Sequence, residues 1–250
     1  MMRQAIWVLG IFLIFLAAPA FAFDKVFDHT YPLPKGGTFT LENVNGSVQV
    51  VGWERDEVEV RAVKTARRNA ADLDRVQIDV EGRPDAVSVR TRYPQESGVD
   101  VAVDYEVRVP FRVLLGGVAT VNGSIRVRGV EGSGRLRSVN GNVEVFDSAG
   151  RFSARTTNGN LHLELQQLPD GDPIAIETVN GSVLLAVPPN ARATLNVHTM
   201  NGDFRSELPV ISQGSFSTRA FHGQIGSGGG EISIRTVNGR IRVVLERPSV

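Results

Sequence analysis

Residues 118–127 read VATVNGSIRV and contain the pattern that decides the fold. Apolar and polar residues alternate on both sides of an Asn-Gly dipeptide, and the same arrangement recurs along the chain. From Asn122 onward, successive units are separated by 16 to 22 residues, which indicates a repeat architecture. The eight units are centred on Asn45-Gly46, Asn122-Gly123, Asn140-Gly141, Asn158-Gly159, Asn180-Gly181, Asn201-Gly202, His222-Gly223 and Asn238-Gly239.

The position three residues after the central Asn, or after His222, is apolar in every unit. Because side chains alternate between the two faces of a strand, this period of two predicts strands with one buried and one solvent-exposed face. Asn-Gly is a strong turn signal, since both residues accept positive φ at little cost. Each unit should therefore run as strand, tight corner, strand and looser connection. The apolar residues are Val48, Ile125, Val143, Leu161, Val183, Phe204, Ile225 and Ile241.

Two architectures fit such units: a stack of coils with parallel sheets, or a meander of antiparallel hairpins. Stacked coils place equivalent residues beside one another, so a repeated hydroxyl residue could form a ladder of hydrogen bonds between coils. The position two residues before the centre favours this interpretation. It is occupied by Asn43, Thr120, Ser138, Thr156, Thr178, Thr199, Ala220 and Thr236.

The predicted fold is therefore all-β, a β-helix-like solenoid of about seven coils with Asn-Gly corners. The residue directly before each Asn is mostly apolar, and strict alternation would point it outward. A bulge or corner at that position would turn it inward, which is our expectation. If the units stack in chain order, the last coil contains Ile241, and a charge there should be tolerated better than a charge at Val183.

Residues 1–22 are predicted to be a signal peptide. Arg3 supplies a positive start, residues 5–18 are apolar, and Ala20-Phe21-Ala22 is a small-x-small cleavage site, so the mature chain would begin at Phe23. The alternative, a membrane anchor, is disfavoured because the apolar stretch is short for a span of about 20 residues. With no second apolar run of that length, we expect no stable membrane span after cleavage. The protein should be exported to the periplasm, the cell surface or the extracellular space.

The mature chain divides by its strand pattern. Residues 23–115 have longer alternating strands and include the first Asn-Gly unit, so we predict an N-terminal β section that caps the stack. Residues 66–74 have a helical pattern of one or two turns. Residues 116–250 form the predicted solenoid repeats.

Composition excludes several classes of function. The chain has no cysteine, which rules out disulfides, thiolate metal sites and cysteine nucleophiles. Its 27 basic residues balance 27 acidic residues, whereas nucleic-acid binders usually show a basic excess. The four histidines lack metal-site spacing, and no phosphate loop or serine elbow is present. We therefore predict no catalytic residue, no metal, no cofactor and no nucleic-acid partner.

Arginine repeats at two positions of the unit, three residues before the centre and four residues after it. In a solenoid these side chains would align as a stripe, and a guanidinium suits carboxylate and phosphate groups. A polyanionic envelope glycan is thus a candidate ligand. The alternative is an ordinary solvated face, because residues 116–250 carry a net charge of only +2. The candidate stripe consists of Arg126, Arg137, Arg155, Arg205, Arg219, Arg235 and Arg242.

Longer stretches resemble a known family. Residues 43–53 read NVNGSVQVVGW and lead into DEVEV at 56–60, while VDYEVRVP at 103–110 precedes TVNGSI at 120–125. This chain resembles the bacterial exported β-strand-repeat family of unknown function that is often labelled "putative adhesin". The resemblance covers nearly the whole mature chain and implies a β-solenoid in the envelope or outside the cell. It implies no catalytic residues.

We accordingly expect a non-enzymatic exported β-solenoid that acts as an adhesin-like interaction scaffold in the cell envelope or at the surface. The alternative is a carbohydrate-active enzyme on a β-helix scaffold. Such enzymes group carboxylates in a cleft, whereas the outward acidic residues of this chain are scattered in sequence.

Overall fold

The alternating segments form strands almost throughout the chain. The structure is a computed structural model that describes residues 23–95, 98–168, 173–212, 217 and 219–246. The strands of the first half are β1 Phe23–Pro32, β2 Thr38–Glu42, β3 Val48–Trp53, β4 Glu57–Ala66, β5 Gln77–Arg83, β6 Ala86–Arg92, β7 Val101–Pro110, β8 Arg112–Ala119, β9 Ile125–Arg128 and β10 Glu131–Arg137. Those of the second half are β11 Val143–Arg155, β12 Leu161–Gln167, β13 Ile174–Asn180, β14 Val183–Val187, β15 Ala193–Asn201, β16 Phe204–Ser206, β17 Val210–Ser212, β18 Ala220–Ile225, β19 Gly230–Asn238 and β20 Ile241–Leu245.

The prediction of an all-β chain is confirmed. Among the described residues the one helix is α1, Asp72–Arg75, a single turn. The helical segment expected at 66–74 is therefore shorter and lies further along the chain, because Ala66 still belongs to β4, where it is buried.

Equivalent strands of successive units pair in parallel, as stacked coils require and a hairpin meander does not. We call the parallel strands that precede the Asn-Gly dipeptides sheet I: β2, β8, β10, the second half of β11, β13, β19 and β15. The parallel strands that follow the dipeptides are sheet II: β3, β9, the first half of β11, β12, β14, β20 and β16.

The spatial order of the units differs from their order in the chain. Asn45, Asn122, Asn140, Asn158 and Asn180 lie side by side in sequence order. The next neighbour is Asn238, because β19 pairs with β13 on one side and with β15 on the other. The unit of Asn201 is therefore outermost, and the C-terminal unit is inserted before it.

The proposed eighth unit at His222 is wrong. β18 runs antiparallel to β15 and places His222 opposite Asn196, so His222-Gly223 lies within a strand. A second antiparallel strand, β17, pairs with β18. Both strands follow the outermost Asn-Gly unit, and β18 covers the free edge of β15.

The expected positive φ explains only part of the Asn-Gly dipeptides, since of their seven glycines only Gly46 and Gly239 have one, at 122° and 158°. Asp147 is the only non-glycine residue with a positive φ, 49°, in the described part of the chain, so no described Asn uses the left-handed region. Glycine is needed instead because the units approach closely. A Cβ on Gly123 would lie 1.9 Å from the carbonyl oxygen of Gly46 in the neighbouring unit, which no side chain can occupy.

The buried hydroxyl row is present, but its hydrogen bonds go elsewhere. Each hydroxyl donates to a glycine carbonyl of the adjacent unit at 2.8–3.1 Å instead of bonding another hydroxyl. Thr120, for example, donates to the carbonyl of Gly46. These bonds satisfy hydroxyls that would otherwise be buried without a partner. The donors are Thr120, Ser138, Thr156, Thr178, Thr199 and Thr236.

The predicted core register is confirmed, since all eight apolar residues at the third position are buried. The expectation that the residue before each Asn turns inward is wrong. Val121 is 38% exposed, Val179 40% and Met200 56%. These side chains follow strict alternation and stand outward beside the Asn side chains.

The N-terminal strands extend both sheets beyond the first Asn-Gly unit. β6 pairs with β2 and β7 pairs with β3, and from β7 the antiparallel strands β4 and β1 continue outward. The hydrogen-bonded sheets run without a break across residue 116, and the division into residues 23–115 and 116–250 stays a prediction. The predicted signal peptide lies outside the described residues. No helix in the described ranges has the length and apolar character of a membrane span.

Candidate binding face

The predicted arginine stripe is divided between two rows. Arg137, Arg155 and Arg235 share one row on the outer face of sheet I, with Ala119, Glu177 and His198 between or beside them. Arg126, Arg242 and Arg205 share a row on sheet II. Arg219 directly precedes β18 and belongs to neither row. The Asn-Gly segments separate the two rows, so the seven arginines do not form one stripe.

The sheet II row is partly neutralised. Arg126 lies 2.6 Å from the carboxylate of Glu144, the next residue in the row. Arg205 pairs with Asp203 at 2.9 Å, and a hydrogen bond from Arg240 is the main cause that holds the pKa of Asp203 below its ordinary value. Leu184 and Gln49 also interrupt the row. The positive charges of this row are therefore isolated from one another.

The sheet I row keeps a less compensated charge at Arg137, the first arginine from its Ala119 end. Arg155 forms an ion pair with Glu177. Arg137, its neighbour on β10, is exposed and has no hydrogen bond or ion pair to any described residue through its guanidinium. The other neighbour of Arg137 is Ala119, which offers no charge.

Two further arginines lie close to Arg137 and Arg155. Arg135 precedes Arg137 on the same face of β10, and Arg151 precedes Arg155 on the same face of β11. Parallel pairing sets Ser133 beside Arg151 and Arg135 beside Ser153. Sequence reasoning missed both arginines because it compared one position of the repeat at a time. The alternation of Arg135 with Arg137 in a single strand was the available signal.

Small residues form a groove between these arginines. A cavity of about 380 Å³ opens on the outer face of sheet I, and a second of about 450 Å³ shares Gly116, Arg135 and Ser153 with it. We call the two together the arginine groove. Arg135 spans its floor, because its Nε donates to the carbonyl of Gly116 at 3.0 Å. The small lining residues that are not buried are Gly116, Gly117, Ala119, Ser133, Ser153 and Ala175.

The space above Gly117 is open, and the backbone conformation does not require glycine at this position. Its φ is not in the left-handed range, and a Cβ built on it would meet no atom within 4 Å. A larger residue would be accommodated by the fold but would fill the groove. Gly116 differs, because its Cβ would lie 3.0 Å from the methyl groups of Thr38 and Thr40.

The described residues contain no cluster of three or more histidine or acidic side chains arranged to hold a metal ion. The four histidines are spread over β1, β12, β15 and β18.

Comparisons with known proteins add the following findings. The family model Toastrack DUF4097 matches residues 34–244, which confirms the family resemblance of the sequence. None of the curated proteins matches the chain. A "putative cell adhesion protein" from Clostridium sporogenes aligns over 89% of this chain and 100% of its own, at 10% identity and a TM-score of 0.49. A "putative adhesin" from Bacteroides fragilis aligns over 88% and 97%, at 10% identity and a TM-score of 0.33.

Proposed function

The chain belongs to the Toastrack DUF4097 family, and we propose that it is a non-enzymatic exported scaffold, adhesin-like in role, that holds a partner in the cell envelope or at the surface. One observation carries this proposal. The outer face of sheet I displays exposed arginines at fixed lateral positions, and Arg137, the first of them from the Ala119 end, has no side-chain partner among the described residues.

Two hydrogen-bond systems keep this display rigid. The Asn side-chain amides bond one another in a single direction, each Nδ2 donating to the next Oδ1 at 2.7–2.9 Å. The buried hydroxyls link the same units from inside, as in the bond from Ser138 to the carbonyl of Gly123. A preorganised face pays less entropy on binding than a mobile one.

The finer account of the fold and location belongs to the same proposal. Residues 116–250 would build a β-solenoid of about seven coils with Asn-Gly corners, capped by the N-terminal β section of residues 23–115, and residues 1–22 would direct export and be removed. N-terminal sequencing of the protein from the periplasm or medium should begin at Phe23. A mature pool that retains Met1 would overturn the export proposal.

The proposed ligand class is a polyanionic envelope glycan, because arginine donates paired N–H groups that suit carboxylate and phosphate. The test is a glycan array probed with the mature protein, combined with an assay for released reducing sugar. We expect binding to anionic glycans without turnover. Turnover of any glycan would contradict the non-enzymatic role. If no glycan on the array binds, the proposed scaffold function is contradicted.

The alternative is a carbohydrate-active enzyme, and one observation favours it. Burial raises the pKa of Glu246, with the charges of Glu164 and Asp147 adding to the shift. A cavity of about 230 Å³ lined by His162, Glu164 and Glu207 opens on the outer face of sheet II. Glu246 itself does not line this cavity, but its charge interacts with that of Glu164, which does. A carboxyl group with a raised pKa can serve as a general acid. If reducing sugar is released, Glu246→Gln and Glu164→Gln should abolish the release.

A further inference from the structure

We propose that the arginine groove is the binding site for a carboxylate-bearing glycan whose chain crosses β8, β10 and β11. This inference rests on the proposed scaffold function and assigns it to one place on sheet I. It involves Arg135 and the open floor at Gly117, neither of which belongs to the stripe predicted from the sequence.

Charge is the first reason. Arg135 and Arg137 are exposed on β10, and no carboxylate of the described residues pairs with either guanidinium. Arg155, the neighbour of Arg137 on β11, is already paired with Glu177. Two cations without counter-charges on one strand favour an anion supplied from outside.

The shape of the groove is the second reason. Its floor consists of backbone and small side chains, notably Gly117, Ala119 and Ala175, and so presents a flat and mainly apolar surface. A sugar ring can lay its C–H face on such a surface while its carboxylate reaches a guanidinium. A bare anion such as phosphate would use the arginines and leave the floor uncovered.

The spacing of the arginines is the third reason. Residues two apart on a strand are separated by about 6.8 Å, and neighbours on adjacent strands by about 4.8 Å. Arg135 and Arg137 have the first relationship, and Arg137 and Arg155 have the second. Several carboxylates of one polymer can therefore be bound together. Each bond would be a charge-assisted hydrogen bond, the stronger kind in proteins.

The fold does not require glycine at position 117, so the open space there is available to a ligand. The open space above it is compatible with alanine or a larger residue. A bulky side chain there would block the floor without disturbing the neighbouring strands. This property supplies a variant that tests shape separately from charge.

The experiment is a binding titration of the mature protein with polygalacturonate, with neutral dextran and inorganic polyphosphate as comparison probes. The variants are Arg137→Gln, Gly117→Phe and the control Arg83→Gln, which removes one exposed charge at the end of β5. Circular dichroism melts check that each variant is folded. We expect polygalacturonate to bind and Arg137→Gln to weaken this binding about tenfold or more, because a charge-assisted hydrogen bond is lost. Gly117→Phe should weaken it to a similar extent, because the ring would fill the floor on which the sugar lies. Arg83→Gln should change the affinity less than about twofold.

Four results would overturn the groove assignment. They are no binding of polygalacturonate, an equal loss at Arg83→Gln, unchanged affinity of folded Gly117→Phe, and polyphosphate binding as tight as polygalacturonate. None of these contradicts the scaffold function if the array still detects a glycan ligand. If no glycan on the array binds, the scaffold function itself is contradicted.

Discussion

Ile241 lies beside Val183 in parallel register, although the chain forms β15 to β19 between these two residues. Its other neighbour in sheet II is Phe204. The C-terminal unit is therefore an interior unit of the stack. The expectation that it is the last coil is wrong.

This position predicts that Ile241→Asp is as damaging as Val183→Asp. Both side chains are fully or almost fully buried, and an unpaired buried charge costs about 3–5 kcal/mol. Circular dichroism melts should show both variants unfolded or strongly destabilised. Ser182→Asp, one residue away and exposed, serves as the control and should stay near the wild type. A clearly milder effect at Ile241 would mean that the units stack in chain order after all.

The direction of the Asn ladder gives a second prediction. Asn140 donates its side-chain N–H to Oδ1 of Asn122 and accepts from Asn158, both at 2.8 Å. Asn140→Asp would place two oxygen acceptors face to face, so we expect a loss of about 1–3 kcal/mol at neutral pH. The loss should shrink below about pH 4, where a protonated carboxyl can donate.

The control for this prediction is Asn142→Asp, which adds the same charge two residues along. Oδ1 of Asn142 accepts from the backbone N–H of Asn160 at 2.9 Å, and a carboxylate keeps that bond. Urea denaturation of both variants at two pH values is the measurement. Equal stability of the two variants at neutral pH would show that the amide ladder contributes nothing.

The glycines give a third prediction, because two of them have opposite environments. The Cβ of Gly123→Ala would lie 1.9 Å from the carbonyl oxygen of Gly46, so the units must separate, and overpacking costs about 1–3 kcal/mol or more. Gly117→Ala meets no atom and should raise stability by about 0.4–1 kcal/mol through the unfolded chain. Chemical denaturation measures both, and a destabilised Gly117→Ala would contradict the open floor.

Lys64 gives a prediction about pH. Its side chain is buried, and Nζ donates to the carbonyls of Leu73 and Val76, both at 2.8 Å. Burial lowers the pKa of Lys64, the charge of Lys25 lowers it further, and Asp74 acts in the opposite direction. Between the lowered folded value and the ordinary unfolded value, the unfolded chain binds more protons. The contribution of Lys64 to stability therefore increases as the pH rises through that interval.

The corresponding measurement compares the wild type with Lys64→Met as the pH rises toward the ordinary lysine pKa of about 10.4. The wild type should gain stability relative to the variant across this range, because the other titrating groups are common to both proteins. Arg67→Met, an exposed site close by in the chain, should show no such change. A difference between wild type and Lys64→Met that stays constant with pH would contradict the lowered pKa.

The repeat pattern was sufficient to predict the strands, the buried positions and parallel stacking. Alternation depends on each strand alone, so Val143 and Leu161 could be placed in the core without a structure. The order of the units could not be predicted, because near-equivalent units offer similar edges to one another and only the fold selects Asn238 as the neighbour of Asn180. For the same reason, the sequence could not predict the hydrogen bond from Thr120 to the carbonyl of Gly46, which depends on the offset between neighbouring units.

The candidate site was predictable in part. Arg137 and Arg155 stood out because they occupy the same position in successive units. Arg135 and Arg151 occupy different positions relative to the Asn, and the pairing of β10 with β11 brings them to the same groove. The split of the stripe into two rows follows from the Asn-Gly segment, which separates the strand before it from the strand after it.

The most direct test of the binding face uses the absence of cysteine from the chain. Ala119→Cys would place a single thiol in the arginine groove beside Arg137, and Ser182→Cys would place one on an exposed site after the Asn180-Gly181 dipeptide. The measurement is the rate of thiol alkylation of each variant with and without polygalacturonate. We predict that the polymer slows alkylation of Ala119→Cys severalfold and leaves Ser182→Cys unchanged. Equal rates for Ala119→Cys with and without the polymer, or protection of Ser182→Cys instead, would contradict a partner held on sheet I.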